Sequence, residues 1–521
     1  MNDSTPPTLR YYSRPQKQLN LEISVDLCVF SGNSGGIIAA IAAKRKGLSV
    51  ALLEPGYHLG GLTTGGLGLT DIGNKFAIGG LSREFYKRVG AKYGVSENWC
   101  FEPHVATEVY EEWLAEEGIE CHFESFLSTV EMKDGRIQKI HTENGLTVSA
   151  KQFIDASYEG DLMAKAGVSY TVGRESNATY GETYNGEQAM ETNQFKLDVD
   201  PYQIEGDPSS GLLPGIDPEP YKPGAGDKRV QAYNFRLCLT DDPEKCIPFT
   251  EPEGYQRKDY ELLIRYCEAG HIPVFNKFDS LINGKYDMNN HGAVSTDYIG
   301  MNYDFPEADY ATREKIFQQH VKWVKGLMWF WMSDSAVNES FKERYRKFGW
   351  SNEDFTETGG FSQALYIREA RRMVGQLVMT EHHCQGDEVV DDPISLAAYT
   401  MDSHNCRRVV IDGKVRNEGD VQVHSGPPYP VSYRCIIPKR GECSNLYVPF
   451  CISASHIAFG SIRMEPVFMI MSESAVEAAA LAIELDLDSQ DVPYSQLKPR
   501  LEAAKQVITP VPRVKDVQAG E

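Results

Sequence analysis

The stretch from Val25 to Thr70, VDLCVFSGNSGGIIAAIAAKRKGLSVALLEPGYHLGGLTTGGLGLT, constrains the fold more than any other. Residues 25–31 are apolar and rich in β-formers, as a buried parallel strand is. Ile37 to Lys46 follows as an alanine-rich helix closed by Gly47, and Leu48 to Leu53 as a second buried strand with Glu54 at its C-terminal end. Ala39, Ala40, Ala42 and Ala43 let that helix approach the sheet closely. The order strand, glycine turn, helix, strand, acid is what a dinucleotide needs. Its pyrophosphate takes bare amides at a helix N-terminus, and its ribose takes a carboxylate at the end of the next strand.

Aligned to G-x-G-x-x-G, the turn reads Ser31-Gly32-Asn33-Ser34-Gly35-Gly36, with only the last glycine in place. The flanking strand and helix, and Glu54 about 20 residues on, supply the context that the glycines lack. A second run, Gly60-Gly61-Leu62-Thr63-Thr64-Gly65-Gly66-Leu67-Gly68, directly follows the second strand. A nicotinamide-only fold has no use for it there. A flavin enzyme does, because backbone lying along the ribityl chain and ring excludes side chains.

The bulk composition narrows the partners. A net charge of −22 argues against nucleic acid or an anionic membrane, both of which reward a basic face. The 11 cysteines include no C-x-x-C, and Cys435, Cys443 and Cys451 stand eight residues apart, so neither a disulfide framework nor an iron–sulfur cluster is expected. The first 20 residues hold no signal-peptide core, and no run of about 18 apolar residues occurs. The expectation is a soluble cytoplasmic protein that acts on a small molecule. H-E-x-x-H and P-loop motifs are lacking.

Further along, residues 176–228 and 385–428 are rich in loop formers. Val230 to Leu239 has strand character. Ala311 to Asp334, with WVKGLMWFWM, reads as a buried core helix, and Pro466 to Leu485 as a long alanine-rich one. Ala364 to Glu381 reads as a helix that sets Arg368 and Arg372 on one face at i, i+4. That pair suits either a carboxylate grip or a salt-bridged structural helix. His382-His383 reads as a helix C-terminal cap.

Four segments, EPGYHLGGLTTGGLGLTD, FIDASYEGDLMAKAGVSYTVGRE, YIREARRMVG and SASHIAFGSIRMEP, together resemble a bacterial family of FAD-dependent oxidoreductases. That family is distantly related to the flavin subunit of heterodisulfide reductase and to fumarate reductase and glutathione reductase type flavoproteins. The resemblance covers about residues 22–485. It implies an α/β fold: a Rossmann-like FAD-binding domain, a ββα sandwich of glutathione reductase type, from residues 22–175 and 430–485. An α+β substrate region, 176–429, is inserted, with tails at 1–21 and 486–521.

Carried over, Gly32, Ser34, Gly35 and Gly36 would cradle the pyrophosphate, Glu54 the ribose, and Gly61, Thr64 and Gly66 the flavin. Asp155 to Asp161 would return to the cofactor. Ser455 to Ser461 would pass the isoalloxazine, and the helix after Pro466 would aim its N-terminus at the pyrimidine ring. The chain departs from the family at Ser31, Pro449-Phe450, Ser472 and Glu473, and a carboxylate at 473 beside the flavin would lower its potential. The [4Fe–4S] cluster of the distant relatives finds no support in the cysteine spacing. Candidates for the chemistry are His404 in MDSHN, His456 in the flavin-adjacent segment, Arg368 and Arg372, with Arg434 and Arg463 in reserve. Each histidine is equally open to a structural role.

The activity implied is hydride or electron transfer between FAD and a small polar metabolite. Alternatives are an electron-transfer subunit with an iron–sulfur partner and a flavin-free binding protein. A redox partner or a homo-oligomer is compatible with either.

Overall fold

The computed structural model describes residues 9–275 and 277–509. β1 (Leu21–Phe30) lies in the middle of a seven-stranded sheet, and its last four residues are buried. α1 (Ser34–Arg45) crosses over to β2 (Val50–Leu53), which runs parallel to β1 with Phe30 opposite Leu53. The one-turn α2 (Gly61–Thr64), then α3 (Gly80–Lys92) and α4 (Pro103–Glu117), lead to β3 (Cys121–His122), parallel to β2. β4 (Leu127–Lys133) and β5 (Arg136–Thr142) form a hairpin through Asp134-Gly135, both at positive φ. β6 (Leu146–Asp155) returns parallel to β1, with Asp155 opposite Phe30.

The sheet order is β3-β2-β1-β6-β5-β4, and the distant β7 (Leu446–Tyr447) adds parallel to β6. The carboxyl ends of β2, β1 and β6 therefore deliver Glu54, Ser31 and Ala156 to one edge. That edge is where ligands bind in open parallel sheets.

A second apolar core gathers residues between Phe195 and Val415. Its five-stranded antiparallel sheet runs in the order Cys246–Pro248, Gly349–Ser351, Leu237–Thr240, Lys285–Met288, Phe278–Ser280. α5 (Tyr310–Ser333) buries Trp323, Leu327, Phe330 and Trp331 in this core, as its apolar run predicts. Only Leu237–Thr240 of the strand expected from Val230 pairs as sheet.

Three other expectations are corrected. Residues 364–380 form no helix, and Arg371–Met373 pairs antiparallel with Tyr170–Val172. His383 accepts the Thr380 amide at 3.1 Å, so it closes the start of the short helix Glu381–Gln385, not the end of a preceding one. The segment after 486 is no loose tail up to residue 509. α6 (Glu465–Leu485) packs between α1 and α7 (Tyr494–Ala503), whose Leu497 and Leu501 are fully buried. α6 is apolar enough to cross a membrane, but that window is 94% buried in the protein.

Candidate cofactor and active site

The first glycine position of the turn is held by a serine in a glycine conformation. Ser31 takes φ +83°, a left-handed backbone that side chains disfavour. A Cβ on Gly36 would stand 1.9 Å from the Ser31 carbonyl oxygen, so only glycine fits there. Asn33 caps α1 by accepting the Gly36 amide at 3.1 Å, and its own side-chain amide donates to the Ala156 carbonyl. The amides of Ser34 and Gly35 lie in the first turn, where a helix leaves donors without internal acceptors. This end of α1 suits an anion.

Glu54 is the expected acid at the end of β2. It accepts the backbone amides of Gly32 at 2.7 Å and Gly56 at 2.6 Å. Burial outweighs those donors and pushes its carboxyl up to about 7. Glu54 faces a groove of about 130 Å³ that runs past Asn33, Gly61, Phe126, Asp161 and Gln363. Arg10, Tyr11 and Tyr158 also line it.

The second glycine run is tight against protein. A Cβ on Gly61 would meet the Tyr158 hydroxyl at 2.5 Å, and one on Gly66, at φ +115°, the Arg236 carbonyl at 2.6 Å. Thr64 gives its hydroxyl to the Leu59 carbonyl. The neighbouring Thr63 donates to Glu465 at 3.1 Å, joined by Tyr158 at 2.7 Å and by Ser34. Burial raises the Glu465 carboxyl. The first turn of α6, the glycine turn and the second run are thus knitted through one acid. The turn also has G-x-S-x-G spacing, but Ser34 is buried on that acid with no histidine beside it among its described contacts.

The remaining carried-over positions divide. Asp155 folds the strand end by accepting Ser157 N at 3.1 Å and Met163 N at 2.8 Å, and burial pushes it up to about 6. Asp161 reaches the groove but is paired with Arg313 at 2.6 Å and Arg371 at 2.8 Å. Ser461 sits between the Tyr429 hydroxyl at 2.7 Å and the Tyr399 carbonyl at 2.5 Å. A Cβ on Gly35 would be 2.5 Å from both Phe450 and Ser472, so α1 rests directly on these two departures. Glu473 is not at the start of α6. It accepts the Leu81 amide at 2.8 Å at the start of α3 and Gln506 Nε2 at 2.6 Å.

Arg368 and Arg372 do not share a face. Along the extended segment, Arg368 meets Asp297 at 2.8 Å, Glu369 meets His456 Nδ1 at 2.7 Å, and Arg372 meets Glu175 at 2.7 Å and the Glu369 carboxylate. The two arginines find different partners because four extended residues set them roughly 13 Å apart along the chain, where a helix would stack them one turn apart. His456 has both nitrogens engaged, the second with Ser403 Oγ at 2.9 Å, and is 1% exposed. His456 and Arg372 belong to a closed buried network.

His404 is placed differently. Its Nδ1 meets Asp297 at 2.9 Å, and its Nε2 lies 3.3 Å from Asp402. Arg463, held in reserve above, pairs with Asp402 at 3.2 Å and reaches the Tyr366 hydroxyl at 3.4 Å, while the Arg368 guanidinium lies 4.3 Å over the Tyr366 ring. Gln231 accepts the His404 amide at 3.0 Å. Burial disfavours ionised Asp297 and Asp402, but Arg368 and His404 outweigh it at the first, and His404 and Arg463 at the second, holding both below the carboxylate range. Arg368 Nη1 and Arg463 Nε are buried without a hydrogen-bond partner among the described residues. Tyr399 ties this cluster to the end of the second glycine run through Asp71 at 2.9 Å. Asp297, Gln231 and Tyr399 carry no motif, and Tyr366 opens the quoted segment YIREARRMVG. Asp402 and Arg463 stand in two of the quoted segments, which is the one sequence signal for them.

Among the described residues no group of His, Cys, Asp and Glu is arranged to hold a metal. Cys435, Cys443 and Cys451 are buried free thiols.

Solved structures match the chain over short spans. An oxidised steroid monooxygenase bound to NADP matches at 17% identity and TM-score 0.21, over 26% of each chain. Bacillithiol disulfide reductase of Staphylococcus aureus matches at 17% and 0.19, over 26% of this chain and 38% of that one. Thioredoxin reductase of Streptococcus pyogenes matches at 23% and 0.18, over 25% and 34%. The chain thus spans less than half the length of each of these three. No curated protein matches it. The profile of the family described as FAD dependent oxidoreductase matches residues 26–501, and the chain belongs to that family.

Proposed function

We propose that the protein uses FAD to dehydrogenate a small, anionic, hydroxyl-bearing metabolite at the Arg368–His404–Arg463 cluster. The observation that carries this is the pair of buried guanidinium groups, each with an unpartnered N–H, around one imidazole held by carboxylates. Unpartnered buried donors are unfavourable until a ligand accepts from them, and a carboxylate is the ligand that guanidinium fits.

The donor set fits FAD. The first-turn amides of α1 would take the pyrophosphate and Glu54 ends β2, while Glu465 holds the Ser34 and Thr63 hydroxyls and so joins the two glycine runs. The space is tight. At about 130 Å³ the groove falls short of the roughly 300–1,000 Å³ of ligand pockets, because Arg10, Tyr11 and Tyr158 stand in it. Seating the cofactor would require these side chains to shift within the groove while the Tyr11 and Tyr12 amides keep their hold on Glu314. FAD, when bound, supplies the hydride acceptor.

The chain's own residues do the rest. Arg368 and Arg463 hold the substrate carboxylate. Asp297 accepts His404 Nδ1–H, and Nε2, 3.3 Å from the Asp402 carboxylate, serves as the base when it carries no proton. The longer 3.3 Å contact to Asp402 marks the side on which Nε2 takes the proton of the substrate hydroxyl while its carbon gives up hydride.

The test is flavin reduction in the FAD-loaded protein by a panel of 2-hydroxy acids, followed by absorbance without oxygen. His404→Gln slows reduction by about 10²–10⁴-fold, and Arg463→Met weakens acid binding by about tenfold or more. Equal reduction by neutral alcohols, or an unimpaired His404→Gln, refutes the proposal.

A further inference from the structure

Behind the same cluster lies a buried cation with no counterpart. Arg408 is 4% exposed. Its Nη2 donates to the Ala293 carbonyl at 3.3 Å, its Nε finds no acceptor, and no carboxylate pairs with it among the described residues. The other buried arginines all have one: Arg368 has Asp297, Arg372 has Glu175, Arg313 has Asp161 and Arg463 has Asp402. Burial draws the Arg408 guanidinium down to about 10, which leaves it charged at neutral pH. An unpaired interior charge is strongly unfavourable unless something compensates it.

Arg408 lines a cavity of about 160 Å³. Leu262, Val294 and Met301 also line it, with Tyr298 and Trp323 stacked at 4.6 Å and 8°, and the exposed Lys258 stands on its lining as a second cation. The two carboxylates at its mouth are already engaged, Asp259 with Lys322 at 3.3 Å and Glu261 with Arg265 at 2.9 Å. Asp297, next in the chain to Tyr298, is committed to Arg368 and His404. An apolar cavity of about 150 Å³ holds a benzene ring. One unpaired guanidinium over an apolar space of this size therefore fits one carboxylate on a ring or short chain.

We propose that this cavity binds a small monocarboxylate with an apolar body, its carboxylate on Arg408 and its body against Tyr298 and Trp323. Tyr298 adjoins Asp297, so the site shares a wall with the cluster around His404 while remaining separate from it.

The probe is benzoate, titrated into the full chain at constant ionic strength, with benzyl alcohol as the uncharged match. Tryptophan fluorescence and thermal unfolding are the readouts. Saturable quenching and a raised unfolding temperature are expected with benzoate. Both are at least about tenfold weaker for benzyl alcohol and in Arg408→Met, which loses an unpaired charge and so keeps its fold. Met301→Trp fills the cavity, keeps Arg408 and abolishes binding. Arg463→Met binds benzoate as the parent does. The site is overturned by absent saturation in the parent, by equal binding in Arg408→Met, or by equal affinity for the alcohol. It is also overturned if binding is lost in Arg463→Met but kept in Arg408→Met, which puts benzoate in the substrate cluster.

Discussion

At position 31 a side chain occupies a left-handed backbone that costs an L-residue about 1–2 kcal/mol. Its hydroxyl recovers little, reaching Glu54 at 3.3 Å. Ser31→Gly is therefore expected to stabilise the protein by about 0.5–1 kcal/mol after the added freedom of the unfolded chain is set against the relieved strain. Urea unfolding checks it, with Ser31→Ala as the control that keeps the strain and gains nothing. Glu473 makes a second case. Burial, with Glu477 nearby, pushes its carboxyl up to about 8 from an ordinary 4.5. Between those values the folded protein holds a proton that the unfolded chain has released, so stability falls as pH rises through that window. The penalty is absent below it and complete above it. Glu473→Gln removes this slope, on the order of 1 kcal/mol per pH unit. Between about pH 5 and about pH 8 the parent should lose more stability than the variant, whose remaining slope belongs to Glu54 and Asp155, also raised by burial.

Among the elements, the segment Arg10–Ser13 has the clearest assignment. The Tyr11 and Tyr12 amides donate to Glu314 at 2.7 and 2.8 Å, and the Tyr11 hydroxyl donates to Glu159 at 2.8 Å. Arg10 lies 4.4 Å over the Tyr57 ring. These contacts strap the groove that faces Glu54. Deleting residues 1–13 should speed the loss of bound FAD by about tenfold, a value set by removing two or three net hydrogen bonds of partial worth. Free-flavin fluorescence after dilution measures it, and an unchanged release rate excludes the strap. The strap's tyrosines gave no signal in the sequence, because a polar N-terminal run earns its place only through Glu314, Glu143 and Glu159, each far away in the chain. The extended segment 364–373 was misjudged for the same reason. Its helical periodicity is real in the string, but Arg371–Met373 pairs as a strand with Tyr170–Val172, and Arg368, Glu369 and Arg372 are paired with Asp297, His456 and Glu175 from distant parts of the chain.

Across the molecule, legibility follows contact range. β1, α1, β2 and Glu54 were readable because strand, turn and helix there are decided within about 30 residues by patterns of apolar and small side chains. The second glycine run was readable as a place of close approach, although its described neighbours are Tyr158, Ala364 and Arg236. Glu465 as the hub of Ser34, Thr63 and Tyr158 was not, since three hydroxyls from remote segments define it. The cluster around His404 draws on residues from 231 to 463, and only MDSHN, Arg368 in YIREARRMVG and Arg463 hinted at it.

The pairing of α6 with α1 has a consequence for how the chain is made. α1 is synthesised well before the surface that covers its Gly35 side, which is written far downstream at Phe450 and Ser472. Until then an alanine- and isoleucine-rich helix waits for its cover, so closure is a late, long-range event of the slow-folding kind. A nascent chain of this design depends on being shielded until that surface emerges.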